Sequence, residues 1–113
     1  MNKTLKAVIV EVTAGNVRNH HINLRGALGL FPDDSLGGSR KAEVGKLVAV
    51  WFGAEETRTD IDQTKAIFRE RGAVRRFFED EKVAAGDLIL IERDKPRSYR
   101  VSKASKRGFK YYL

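Results

Sequence analysis

The chain is 113 residues long, enough for one hydrophobic core and too short for two. It has no cysteine, which excludes a disulfide frame and a thiolate metal site; with no apolar run long enough for a bilayer or a signal peptide, a soluble cytoplasmic protein is expected. Its 22 Lys and Arg against 15 Asp and Glu leave a formal net charge of +7, a field that favours a polyanionic partner, although soluble proteins are also basic without binding nucleic acid.

Residues 4–12 (TLKAVIVEV) are β-branched and alternating, which predicts a first strand. Thr13, Ala14, Gly15 and Asn16 break it, and a second alternating strand is predicted over residues 20–24, with His20, Ile22 and Leu24 on one face and His21, Asn23 and Arg25 on the other. The connection then carries Asn16, Arg18, Asn19 and His20 at its tip or exit. Arg and Asn make paired hydrogen bonds to guanine and adenine edges; they also furnish ordinary polar hairpins. Residues 26–31 form a small apolar patch ended by Pro32-Asp33-Asp34-Ser35, a turn or helix-cap composition. Gly37-Gly38-Ser39 reads as flexible punctuation, without the spacing or the GK[ST] ending of a phosphate loop.

Residues 46–52 (KLVAVWF) are the strongest predicted strand, central in its sheet. Trp51 sits in that apolar run and is expected in the core, a base-stacking platform being its other use. After a turn over 53–56, residues 57–68 alternate in their first half, with Arg58, Asp60 and Asp62 on one face and Thr57, Thr59, Ile61 and Gln63 on the other. In AVRRFFEDEKV, Val74, Phe77 and Phe78 fall at helical spacing, so a short helix presses both rings inward and leaves Arg75, Arg76, Glu79 and Asp80 wet. Residues 83–87 read as a turn through Gly86 and Asp87, followed by strands at 88–91 and 99–101 joined through 94–98. Eight bases and one acid lie between residues 93 and 110, whereas acids gather at Glu55, Glu56 and 79–81, so a polarised molecule is expected.

Six or seven short strands with few helices suit a small barrel or sandwich. The order of an aromatic pair on a short helix (Phe77, Phe78), then Val83, Gly86, Asp87 and the apolar strand 88–91, resembles the closing half of the B3-type DNA-binding pseudobarrel. That family is known from plant transcription factors and from the DNA-recognition domains of EcoRII- and BfiI-type restriction endonucleases. The endonuclease group is the closer comparison, because the tryptophan of the plant fourth strand is absent and Trp51 lies one strand earlier.

The resemblance covers residues from about 8 to 101 and implies a mainly β, seven-stranded open pseudobarrel with one or two short α-helices. It implies a domain over 1–101, with 102–113 a basic tail or the start of a linker. It also implies sequence-specific binding of double-stranded DNA in the major groove by two jaws, residues 15–20 and roughly 59–71. The candidate contacts are Asn16, Arg18, Asn19, His20, Arg25, Arg58, Thr59, Asp60, Asp62, Gln63, Lys65, Arg69 and Arg71. The chain would be a binding domain rather than an enzyme, without cofactor or metal, and its nuclease domain would lie elsewhere in a restriction endonuclease.

Chemistry gives these candidates roles of their own. Arg18, Arg58, Lys65, Arg69 and Arg71 suit phosphates or guanine, and Asp60 or Asp62 suits a cytosine amino group; Asp60 could equally pair with Arg58 or cap a turn. A second reading is a barrel-type RNA-binding module that stacks bases on Phe109, Tyr111 and Tyr112 of the basic C-terminal face. A metal-dependent nuclease built on Asp33 with Asp80, Glu81 and Lys82 is a weak fit, because its carboxylates belong on adjacent strands. Adjacent histidines on a strand point apart, so His20 and His21 make a poor metal pair.

Overall fold

The computed structural model describes residues 6–104, and over these the chain is mainly β, with eight strands and two α-helices. Five strands, β1 (Ala7–Glu11), β3 (Val48–Phe52), β4 (Glu55–Thr59), β7 (Leu88–Lys95) and β8 (Ser98–Ala104), make one sheet in the order β1-β7-β8-β3-β4. Its neighbours are antiparallel except β3 and β8, which run parallel from Ala49↔Ser98 to Phe52↔Val101. The short strands β2 (Leu36–Gly37), β5 (Ile61–Asp62) and β6 (Ile67–Phe68) make a second sheet in the order β2-β5-β6. Both sheets are open. The expected mainly β, open architecture is present; the strand count among the described residues is eight in two sheets rather than seven, with the longer region expected after the central strand broken into three short pieces.

The helix-fed hairpin forms as its spacing requires. Helix α2 (Arg71–Asp80) buries Ala73, Val74, Phe77 and Phe78 on one stripe and exposes Arg75, Arg76, Glu79 and Asp80. It ends in a left-handed termination motif: Lys82 takes φ 51°, its N–H bonds the Glu79 carbonyl, and the Val83 N–H bonds the Phe78 carbonyl. Gly86 takes φ 93°, and the Asp87 carboxylate accepts from the Ala84 N–H at 2.8 Å, fixing the turn into β7. β7 and β8 then pair up to a two-residue connection, Pro96-Arg97, with Arg97 at φ 64°. β8 continues to Ala104, beyond the boundary expected at 101; residues 105–113, and with them Phe109, Tyr111 and Tyr112, lie outside the described residues.

Residues 20–24 do not form the expected strand. The chain instead makes helix α1 (Ala14–Asn19), whose N-cap Thr13 exchanges hydrogen bonds with Asn16 in a capping box: Thr13 Oγ1 accepts from the Asn16 N–H at 3.1 Å and Asn16 Oδ1 from the Thr13 N–H at 2.9 Å. The polar residues that looked like a loop are thereby helical. Ile22 and Leu24 still share a buried face, since an extended segment alternates whether or not it joins a ladder.

Trp51 was expected in the core and is 37% exposed. Val48, Val50 and Phe52 are the buried residues of β3, and the two-residue period of a strand turns Trp51 onto the uncovered outer face. Nor is Gly37-Gly38, at the end of β2, a flexible spacer. Gly37 is buried, and a Cβ there would lie 2.3 Å from Asp60 Oδ2 and 2.5 Å from the Glu43 carbonyl, so the space admits only glycine.

A line of aromatic rings joins the layers. Tyr99 in β8 meets Phe31 at 4.6 Å, Phe31 meets Phe68 of the small sheet at 5.7 Å, Phe68 meets Phe52 of β3 at 5.1 Å, and Phe52 meets Phe77 of α2 at 6.2 Å. The buried Tyr99 hydroxyl donates to the Leu30 carbonyl at 3.0 Å, and burial pushes its pKa above the usual phenol value.

Candidate nucleic-acid interface

The chain leaving the first of the two segments singled out as jaws, residues 15–20, runs directly against the second. Helix α1 ends on His20, which takes φ 57° and reverses the chain, so that the His21 N–H bonds the Asn16 carbonyl at 3.0 Å. The chain then runs to Leu24, whose N–H donates to the Ala66 carbonyl at 2.8 Å. Ala66 closes the β5–β6 turn with φ 56°, and Asp62 shapes that turn by accepting the Lys65 N–H at 3.0 Å. One peptide bond four residues past the first segment is therefore fastened to the second.

Electrostatics reports the same proximity. The His21 imidazole is held below its usual pKa first by partial burial and then by the positive charges of Arg71, Lys65 and His20. Arg18, Arg25, Lys65 and Arg71 are exposed, and none of them forms an ion pair among the described residues. Elsewhere Arg40 pairs with Glu43, Arg75 with Glu79, Arg76 with Glu55, Arg97 with Asp34, Lys103 with Asp87 and, at 3.8 Å, Arg100 with Asp94, while Lys6, Lys41, Lys46, Arg58, Lys82 and Lys95 also form no ion pair among the described residues. Lys65 and Arg71 are the unpaired cations that lie close enough to act on His21, where the exit of α1, the β5–β6 turn and the start of α2 meet. Asn19 and Gln63 are exposed beside that junction, and Asn16 and His20 are half-buried.

Four of the sequence candidates face inward. Asp60 is fully buried; its carboxylate accepts from Arg69 Nε at 2.6 Å, from Arg69 Nη2 at 3.0 Å and from the Gly45 N–H at 2.7 Å. Arg69 Nη2 also donates to the Gly38 carbonyl, and the bond to Asp60 raises the Arg69 pKa further. Thr59 is buried, donating to the Asp60 carbonyl and accepting from the Glu70 N–H, and Asp62 is buried beneath its own turn. The expected contact of Asp60 with a cytosine amino group, and its alternative pairing with Arg58, are both replaced by the Arg69 pair. Arg58 points from the outer face of β4, where it shares a groove with Trp51, apart from the cluster around Lys65.

His21 is the member that alternation did not find, because the expected strand placed it opposite His20; the run of two histidines after an Asn-rich segment was its only trace. Asp33 opens the short turn Asp33–Ser35 and Asp80 ends α2, and among the described residues no three His, Cys, Asp or Glu side chains gather as metal ligands would. No helix among the described residues is long and apolar enough to cross a membrane.

No protein-family model matches the chain, and no curated protein matches it. Among solved structures its fold is similar to that of the N-terminal domain of Helicobacter pylori LlaJI.R1, with a TM-score of 0.60 over 96% of this chain and 94% of that one. At 12% identity the likeness is one of fold.

Proposed function

We propose that this domain binds double-stranded DNA sequence-specifically through the major groove, as the recognition part of a restriction endonuclease whose cleavage chemistry belongs to another domain. The observation that carries the reading is that Lys65 and Arg71 of the second segment, exposed and without an ion pair among the described residues, lie close enough to His21 to depress its pKa, with Arg18 exposed and unpaired on the first segment and Arg25 just past it. Such charges neutralise phosphates, and the amides of Asn16, Asn19 and Gln63 supply the donor and acceptor pairs that read base edges. The B3-type resemblance assigns the same two segments to the jaws, and the fold likeness spans nearly the whole chain. Arg58, Thr59, Asp60, Asp62 and Arg69 leave the set of contacts, the last four because they hold the second jaw in shape.

The test is the salt dependence of duplex binding. The wild-type affinity falls linearly with salt on logarithmic axes, and Lys65→Ala and Arg71→Ala each lower the slope by about one. Slopes unchanged in both variants would remove the cluster from the interface.

A further inference from the structure

The outer face of the five-stranded sheet carries a second surface that the jaws do not use. In register across that face stand Arg100 of β8, Trp51 of β3 and Glu56 of β4, and Arg58 follows one step along β4. Trp51 is 37% exposed and Leu47 45% exposed, whereas Val48, Val50 and Phe52 on the other face of β3 are buried. The β7–β8 turn rises beside them with Lys95 and Arg97, making a groove of about 620 Å³. Four cations, Arg58, Lys95, Arg97 and Arg100, line it with two carboxylates, Glu56 and Asp94, and a third carboxylate, Asp34, pairs with Arg97. Arg97 is engaged by Asp34 and the Leu47 carbonyl, and Arg100 reaches Asp94 only at 3.8 Å; Arg58 and Lys95 form no ion pair among the described residues.

We infer that this groove binds an unpaired strand of DNA, stacking a base on the Trp51 indole while Arg58, Lys95 and Arg100 meet the flanking phosphates. The excess of cations favours a polyanion over an acidic-neutral protein face, and a flat exposed indole offers what an unpaired base needs and a base inside a duplex cannot use. The choice of DNA over RNA rests on the duplex-DNA reading above; the stacking site does not.

Trp51 is the sole tryptophan of the chain, so its emission reports on this face alone. Titrating the full chain with a short oligothymidine quenches that emission, more weakly as salt rises. Trp51→Ala lowers the affinity for the oligonucleotide, read by anisotropy of a labelled strand, about ten-fold, and Trp51→Phe recovers part of the loss. A blunt duplex leaves the emission unchanged, and Trp51→Ala leaves duplex affinity unchanged. Absence of quenching by the single strand, or an anisotropy curve indifferent to Trp51→Ala in a variant whose circular dichroism is native, would overturn the site. Tighter binding of the matching oligouridine would overturn the assignment to DNA. Quenching that vanishes in the Lys65→Ala/Arg71→Ala double variant would place the strand on the jaws instead. Failure of duplex binding with quenching intact would sink the jaw reading and leave this one standing.

Discussion

A carboxylate without solvent contact must be met by donors, and Asp60 is met by Arg69 and by the Gly45 N–H, with Arg69 in turn donating to the Gly38 carbonyl. Removing only the cation would strand a buried charge, so Arg69→Ala is expected to cost about 3–5 kcal/mol in urea unfolding; a loss below about 1 kcal/mol would mean that water reaches Asp60 freely. Alternation along residues 57–63 conceals this, because a charged residue reads as exposed unless its partner is known, and the partner lies nine residues on with glycines from two further segments making room. His21 carries the pH dependence. Its folded pKa lies below that of a free imidazole, so the neutral ring favours folding above the ordinary histidine range, and the contribution is lost as the pH falls through that range to the folded pKa. Phosphates beside Lys65 and Arg71 would favour the charged ring, so duplex affinity should rise as the pH falls through the histidine range, and His21→Gln should flatten that rise. A flat wild-type profile would place His21 away from the DNA.

At the scale of elements, what could be read directly was what local chemistry decides. Helix α2 shows its apolar stripe, the turn at Gly86-Asp87 has the residues its geometry needs, and β7 and β8 are flanked by turn signals. Helix α1 could not be read so. Six residues with a Gly and two Asn have no stripe, and the helix exists through its capping box and the docking of Val17 on the core. Strands of two residues, as in the small sheet, are too short to show a period. Trp51 was misplaced for a related reason: a continuous apolar run does not say which of its faces is covered. The end of α2 offers a direct check on local backbone strain. Lys82 is exposed and holds a left-handed conformation that glycine takes without penalty, so Lys82→Gly should raise stability by about 1 kcal/mol, seen as a higher Tm. A fall in Tm would show that its side chain contributes more than its φ costs.

Across the whole molecule, one core ties the two sheets and α2 together through Tyr99, Phe31, Phe68, Phe52 and Phe77, so the segment 20–24 and the β5–β6 turn are mounted on a common packed body. The charged residues are not spread evenly over that body. Most arginines that pair with acids lie on α2, the hairpin and the loop before β3, while the unpaired ones converge on the jaws and the groove beside Trp51. The most direct measurement is selection from a randomised duplex library at physiological salt, for the wild type and for an Arg18→Ala/Lys65→Ala double variant. The wild type is expected to enrich a short motif and the double variant to lose it while staying folded. Duplex binding without enrichment, collapsing as salt rises, would contradict sequence recognition and leave a basic surface alone.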